Sequence, residues 1–233
     1  MASASAMDSQ AARADGKTTG KRRESKEFRR EQLINATIDS LAKRGYAATT
    51  LADVADGAGL SRGIVNFHFD SKEKLLIETL QSMSDEYGRH WREALAGAGG
   101  QAAQQLRMLI RADLDKKICN SRLISAWAAF WAEAKTRPSY QKLCWDRDDD
   151  YLGEIRRVCT ALKEEGNYAF DPKNVAVAIY CMQEGLWLRL MLGGREFKRE
   201  GAVAAAMELL GSLFPLHFEN DGSLKKKGKT GGD

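Results

Sequence analysis

A chain of 233 residues, 43% hydrophobic and 29% charged, is long enough to bury a substantial core as one or two domains. No run approaches the roughly 18 apolar residues of a membrane span, and the N-terminal MASASAMDSQAARADGK has no apolar signal core, so a cytoplasmic protein without a membrane partner is expected. Three prolines and the lack of any run of alternating Val, Ile or Thr leave an all-α fold as the expectation, and the formal net charge of +4 matters less for its size than for its placement.

Residues 1–24 are small, polar and basic without periodicity, and read as a disordered basic arm. Between Lys17 and Arg30 seven Lys or Arg stand against Glu24 and Glu27, a density suited to displacing counterions from phosphate, with Arg22, Arg23 and Lys26 as candidate DNA contacts. From Ser25 the pattern turns helical, with Phe28, Leu33, Ile34, Thr37, Ile38 and Leu41 on one face and Gly45 as the stop. The stretch TTLADVADGAGLSRGIVNFHFDSK, Thr49 to Lys72, then carries several agreeing signals. Thr50 and Asp53 have the spacing of a reciprocal N-cap, Leu51, Val54, Ala55 and Ala58 form an apolar stripe, and Gly57 and Gly59 end it. Ser61 caps a second short helix running through Arg62, Gly63, Asn66 and Phe67. Residues 25–72 thus make a three-helix unit with a helix-turn-helix, whose second helix turns its N-terminal residues toward base edges in the major groove.

A long helix follows, capped by Asp70 or Ser71, with Leu76, Leu80, Met83, Tyr87 and Trp91 as its stripe. Lys72 and Lys74 in its first turn oppose the helix dipole, which a phosphate partner for Lys72 would explain. Residues 73–218 form a larger helical domain, broken at Gly97–Gly100. Leu106 to Leu114, Leu123 to Ala134 before Pro138, Tyr140 to Leu162, Asp171 to Gly193 and about Gly201 to Phe214 bring the chain to about nine helices. The last two, around Asn174 to Leu192 and Ala202 to Phe214, are apolar on nearly every side, so a homodimer formed through them is expected. Residues 219–233, rich in Lys, Gly and Ser, read as a disordered tail. Cys119, Cys144, Cys159 and Cys181 are widely spaced and read as buried thiols, with no metal site.

The run from Glu31 to Leu76, with Gly45, TTLADVADGAGLSRG and FHFDSKEKLL, resembles the N-terminal DNA-binding domain of the TetR family of bacterial transcriptional regulators. The resemblance implies an all-helical homodimer whose first three helices bind double-stranded operator DNA, and a C-terminal domain, 73–218, for a small effector and dimerisation. Carried over residue by residue, it implies phosphate contacts from Thr50, His68 and Lys72, with Arg62, Gly63, Asn66 and Phe67 presented to the groove. Thr49 and Ser61, at the two helix starts, complete the expected interface. Ile64 and Asn66 stand where many members have Thr and Tyr, and an Asn there can read adenine through its paired donor and acceptor. The segments WAAFWAEAKTRPSYQKL and EGLWLRLMLGG are similar to those of the choline-responsive repressors of glycine-betaine synthesis within that family.

Trp127 and Trp131 share one helix face, and Tyr180, Glu184, Trp187 and Met191 share another. A carboxylate among apolar residues needs a partner, and aromatic faces beside it suit a quaternary ammonium. Trp127, Trp131, Tyr140, Trp145, Tyr180, Glu184 and Trp187 are therefore expected to form an effector site for choline or a related cation. The same stripe also fits core, dimer interface, or a pocket for other small apolar effectors of efflux or catabolic genes. With three histidines, no G-x-S-x-G, no P-loop and no metal-ligand cluster, neither catalysis nor a cofactor is expected. The function expected is a ligand-responsive regulator, a repressor that releases its operator when effector binds, with a helical interaction module that binds no DNA as the alternative.

Overall fold

The computed structural model describes residues 5–193 and 197–226, with side chains from Ser25 onward. These described residues form nine α-helices and no sheet, with an isolated bridge between Phe218 and Leu224. Helix α1 (Ser5–Ala48) continues back through the arm expected to lack structure, as a helix nucleated by packing further along can propagate through Ala, Arg, Lys and Glu. The side chains of Arg22 and Arg23 lie outside the described residues. The packed face of α1 begins at Leu33, and Phe28, expected on it, is 61% exposed. Gly45, at φ 77° and ψ 179°, kinks the helix before its last turn, in a conformation that a side chain would strain.

The helix-turn-helix forms where the local signals place it. Thr50 and Asp53 make the reciprocal cap of α2 (Leu51–Ala58), and Gly59 at φ 64° closes that helix while Gly57 stays inside it. Ser61 caps α3 (Arg62–His68) by accepting from the Ile64 N–H at 3.4 Å. Val54, Ala55, Ala58, Val65 and Phe69 bury against Leu33 and Ile34 of α1, making the core of this head.

Helix α4 (Lys72–Ala96), capped by Ser71, leads from the head into the body with Leu76, Leu80, Met83, Tyr87 and Trp91 buried. The body comprises α5 (Ala102–Asp113), α6 (Ser121–Ala134), α7 (Pro138–Gly166), α8 (Pro172–Leu192) and α9 (Arg199–Leu213). Helix α7 is its hub, packed against α4, α5, α6 and α8, while α6 lies along α1 and joins head to body. Across that seam Arg122 pairs with Asp39 at 2.5 Å and donates to the Asn35 carbonyl at 3.0 Å.

Helix α8 is long and apolar enough, by length and composition alone, to cross a membrane. In the monomer it buries only Ala176, Ile179, Gln183 and Trp187, and leaves Val177, Leu188 and Leu192 exposed. Cys181 lies on that open side, so it is exposed, whereas Cys119, Cys144 and Cys159 are buried as expected. The tail also departs from expectation. Through Lys226 it folds back, with Phe218 buried, Glu219 N–H on the Ser223 carbonyl at 2.8 Å and Lys225 N–H on the His217 carbonyl at 2.9 Å. The disorder expected for 227–233 falls outside the described residues.

The reciprocal cap yields a stability test. Thr50→Ala should cost about 1 kcal/mol, lowering the thermal midpoint by roughly 2–4 °C, and Asp53→Ala should lower the midpoint as well. Because the two side chains act on each other, the double variant should lose less than the sum of the singles in calorimetry.

Candidate nucleic-acid interface and effector pocket

Helix α3 presents Arg62, Gly63, Asn66 and Phe67 to solvent, and the Phe67 ring is 70% exposed with the Lys26 ammonium 5.6 Å from its centroid. A Cβ on Gly63 would meet nothing nearer than Ser61 Oγ at 3.7 Å, so packing within the fold does not require glycine there. Thr50 is exposed beside α3, its hydroxyl donating to Asp53 Oδ2 at 2.6 Å. That bond is the main reason the Asp53 carboxyl sits below its usual range. Thr49, expected in the interface, is instead buried: its hydroxyl donates to the Gly45 carbonyl at 2.8 Å and lies 3.0 Å from Ser40 Oγ, pinning the kink within α1. His68 is half-buried, and burial, then the charges of Lys26 and Arg30, lower its pKa.

Lys72 is half-buried at the junction of head and body. Its ammonium donates to the Tyr46 carbonyl at 3.4 Å and stands 5.4 Å from the Tyr46 ring centroid. The Arg137 guanidinium contacts the same ring at 5.2 Å, and Tyr46 Oη lies 3.0 Å from Tyr140 Oη. Tyr140, expected in the effector cage, therefore serves this junction, packed edge-on to Phe130 and Tyr46. Trp145 also leaves the cage, because it is 59% exposed on the outer side of α7.

Four of the expected cage residues do converge. Trp131, Tyr180, Glu184 and Trp187 line one pocket in the body, together with Tyr87, Asp113, Arg147 and Gln183. Its free volume is about 20 Å³, room for one water. Trp127 stands behind it, stacked on Trp131 at 6.3 Å between centroids and 23° between planes. Asp113 accepts from Tyr87 Oη at 2.9 Å and from Trp187 Nε1 at 3.1 Å. Glu184, at the exposed rim, accepts from Tyr180 Oη at 3.1 Å; burial and then Asp148 raise its pKa. Gln183 donates to Tyr151 Oη at 2.9 Å, while its buried Oε1 has no partner among the described residues.

The sequence did not single out Tyr87, Asp113, Gln183 or Arg147 for this site, and Arg147 is the most consequential of them. Its guanidinium is buried against the Trp127 ring at 4.3 Å from the centroid, pairs with Asp148 through Nε at 2.7 Å and approaches Tyr180 Oη at 3.3 Å. Burial opposes the charge, yet Asp148 holds the guanidinium firmly protonated. A signal existed: Arg147 falls on the buried stripe Tyr140, Cys144, Tyr151, Ile155 at helical spacing, and Asp113 likewise on the stripe Leu106, Leu109, Ile110.

A helix-turn-helix head joined to a helical body defines a class of protein, the helix-turn-helix transcriptional regulators. Residues 33–79 match the family model for bacterial regulatory proteins of the tetR family, and residues 102–215 match that for the C-terminal domain of the BetI-type transcriptional repressor. The chain belongs to the TetR family, with a BetI-type C-terminal domain, and is a DNA-binding transcriptional regulator, not an enzyme. It is 30% identical over 201 residues to the HTH-type transcriptional regulator BetI of Paraburkholderia phymatum, covering 81% of this chain and 94% of that one. BetI of Burkholderia thailandensis is 29% identical over 191 residues with the same coverage. A crystal structure from Pseudomonas aeruginosa PAO1, described as a transcriptional regulator, aligns with a TM-score of 0.72 at 26% identity over 81% of this chain and 91% of that one. A regulator structure from Saccharomonospora viridis in complex with choline aligns with a TM-score of 0.70 at 20% identity over 78% and 94%.

Asp113 makes the pocket sensitive to pH. Burial pushes its pKa from 3.8 up to about 6 despite the bonds from Tyr87 and Trp187. The folded state therefore binds this proton more tightly than the unfolded chain, a stabilisation complete below pH 4 and lost as pH rises through about 6. Asp113→Asn should remove that dependence, changing the slope of unfolding free energy by up to about 1.4 kcal/mol per pH unit over this window. Urea titrations of both proteins at pH 4, 5, 6 and 7 would measure it, and parallel curves would mean that Asp113 does not titrate there.

Proposed function

We propose that the chain is a homodimeric repressor that holds operator DNA through α2 and α3 and releases it when a quaternary ammonium compound of the choline class occupies the pocket of the body. The observation that carries this reading is the convergence of Tyr87, Trp131, Tyr180 and Trp187, backed by Trp127, on the carboxyl groups of Asp113 and Glu184. Aromatic faces and negative charge are what a trimethylammonium group requires, each face contributing about 0.5–2 kcal/mol. The unpartnered Gln183 Oε1 offers an acceptor for a hydroxyl such as choline's. The choline held by the Saccharomonospora viridis structure on the same fold supports the same effector class.

In this reading Lys26, Thr50, Ser61, His68 and Lys72, with Arg22 and Arg23, hold phosphates, while Arg62 and Asn66 read base edges across the close approach that Gly63 and Phe67 permit. Dimerisation uses the open side of α8, with Val177, Cys181, Leu188 and Leu192, and the small residues Gly201, Ala204 and Ala205 of α9. An apolar helix face must be covered, and a second copy of the same face supplies the cover while placing two heads roughly 34–36 Å apart for successive half-sites. Tyr87 carries the coupling, since it lines the pocket from α4, the helix that starts in the head. Ligand shifts the head spacing by no more than its differential affinity for the two arrangements. The protein acts in the cytoplasm, where operator and effector meet.

Electrophoretic mobility shifts on the DNA upstream of its own gene test the reading. Binding should weaken linearly in log–log form with salt, and saturating choline should lower it at least tenfold. Trp131→Ala should weaken choline binding about tenfold, within the range of one aromatic face. Choline that binds measurably yet leaves operator affinity untouched would refute the coupling. Separately, Leu188→Glu should convert the dimer to monomer in sedimentation velocity and abolish the operator shift; a variant still dimeric would move the interface off α8.

A further inference from the structure

The aromatic site read above as a cation cage already faces a cation. The Arg147 guanidinium carbon stands 4.3 Å from the Trp127 centroid, 5.3 Å from that of Tyr87 and 5.9 Å from that of Trp131. These are the distances at which a ligand ammonium would be held. With Arg147 so placed, the pocket keeps about 20 Å³, far below what a molecule of choline's size fills.

Arg147 also lines a second cavity on its other side. This groove of about 170 Å³ between α4 and α7 carries Asp85, Asp146 and Asp150. Asp146 and Asp150 are exposed and pair with side chains equally open to solvent, Lys142 at 2.5 Å and Arg92. Exposed pairs of this kind exchange partners at little cost. Arg147 is thus the partition between an open acidic groove and a nearly filled aromatic pocket.

We propose that Arg147 is the resident cation of the aromatic cage, and that a cationic effector enters by the acidic groove and exchanges with its guanidinium, which moves outward to Asp146 and Asp150. This rests on the effector reading above and deepens it by stating how the ligand enters and why it must be charged. Exchange of cation for cation leaves the positive charge facing Asp113, Asp148 and Glu184 unchanged. A neutral ligand of the same size would displace Arg147, leave Asp148 without its ion-pair partner and remove the positive charge facing Asp113, so the pocket selects against it. The affinity observed is the cage's own affinity reduced by the fraction of molecules in which Arg147 stands aside, which sets a concentration threshold. Departure of Arg147 also removes a contact from Trp127 on α6, the helix laid along α1.

Titration calorimetry of the full chain with tetramethylammonium and choline tests the exchange. Arg147→Met combined with Asp148→Asn removes the resident cation and its nearest carboxylate together, which avoids stranding a buried charge. It should bind tetramethylammonium at least tenfold more tightly than the wild type. Asp146→Asn with Asp150→Asn, both on the surface, should bind it at least threefold more weakly with an unchanged circular dichroism spectrum, and this pair decides the matter if the first variant does not fold. Equal or weaker binding by the Arg147 variant, or equal binding by the folded surface variant, overturns the exchange while the effector reading stands if the wild type binds either compound. Acetate or glycine betaine binding that is lost with Arg147 also overturns it, making Arg147 a ligand-holding group. If the wild type and both variants bind neither ammonium compound, the effector reading falls and the exchange with it, whereas binding by the Arg147 variant alone supports the exchange.

Discussion

Burial of one positive charge sets the plan of the body. A guanidinium taken out of water needs negative charge, acceptors and polarisable faces around it, and no single helix can supply them all. Arg147 of α7 finds Asp148 on its own helix, Tyr87 on α4, Trp127 and Trp131 on α6, and Tyr180 on α8. Behind this shell the polar groups bond inward, Tyr87 and Trp187 to Asp113 of α5, Gln183 to Tyr151, and Tyr151 to the Leu109 carbonyl at 3.0 Å. A buried network so complete fixes the rotation of α7 and α8, because a turned helix would strand its polar atoms. Its one open acceptor is the buried Oε1 of Gln183, a residue that lines the pocket.

Two rigid elements carry that pocket to the head. Helix α4 begins beside the recognition helix and reaches the pocket at Tyr87 without interruption. Helix α6 holds Trp131 against the pocket while its other side lies along α1, fastened by Arg122 to Asp39 and Asn35. Where the two routes meet, the Tyr46 ring is held between the cations of Lys72 and Arg137 and bonded to Tyr140. In the function proposed above, a rearrangement at the pocket would reach the head through these packed contacts.

The helices were legible in the sequence, and the site only in part. Caps and stops act over three or four residues, so Thr50 with Asp53, Ser61, Ser71 and Asp171 mark helix starts wherever the helix is later packed. The recognition helix gains from the same locality, since its exposed residues follow from the buried Val65 and Phe69. Helix α8 shows where this fails. Being apolar nearly all round, it gives no phase, and the face that buries is Ala176, Ile179, Gln183 and Trp187, rotated from the stripe Tyr180, Glu184, Trp187 and Met191. Tyr140 and Trp145 were drawn to the cage by residue type alone, and packing sent one to the junction and the other to the surface.

By itself the sequence determined an all-helical chain, the helix-turn-helix with its exposed Arg62, Asn66 and Phe67, and an aromatic-rich body, because periodicity and capping are properties of neighbours along the chain. Only the tertiary structure decided that Thr49 is buried against the Gly45 kink, that Asp113 and Arg147 belong with the tryptophans, and that α8 keeps an apolar side uncovered in the monomer. Each of these depends on which helix faces which across tens of residues. A charge such as Arg147 in the run Asp146 to Asp150 looks solvated until packing around it removes the water.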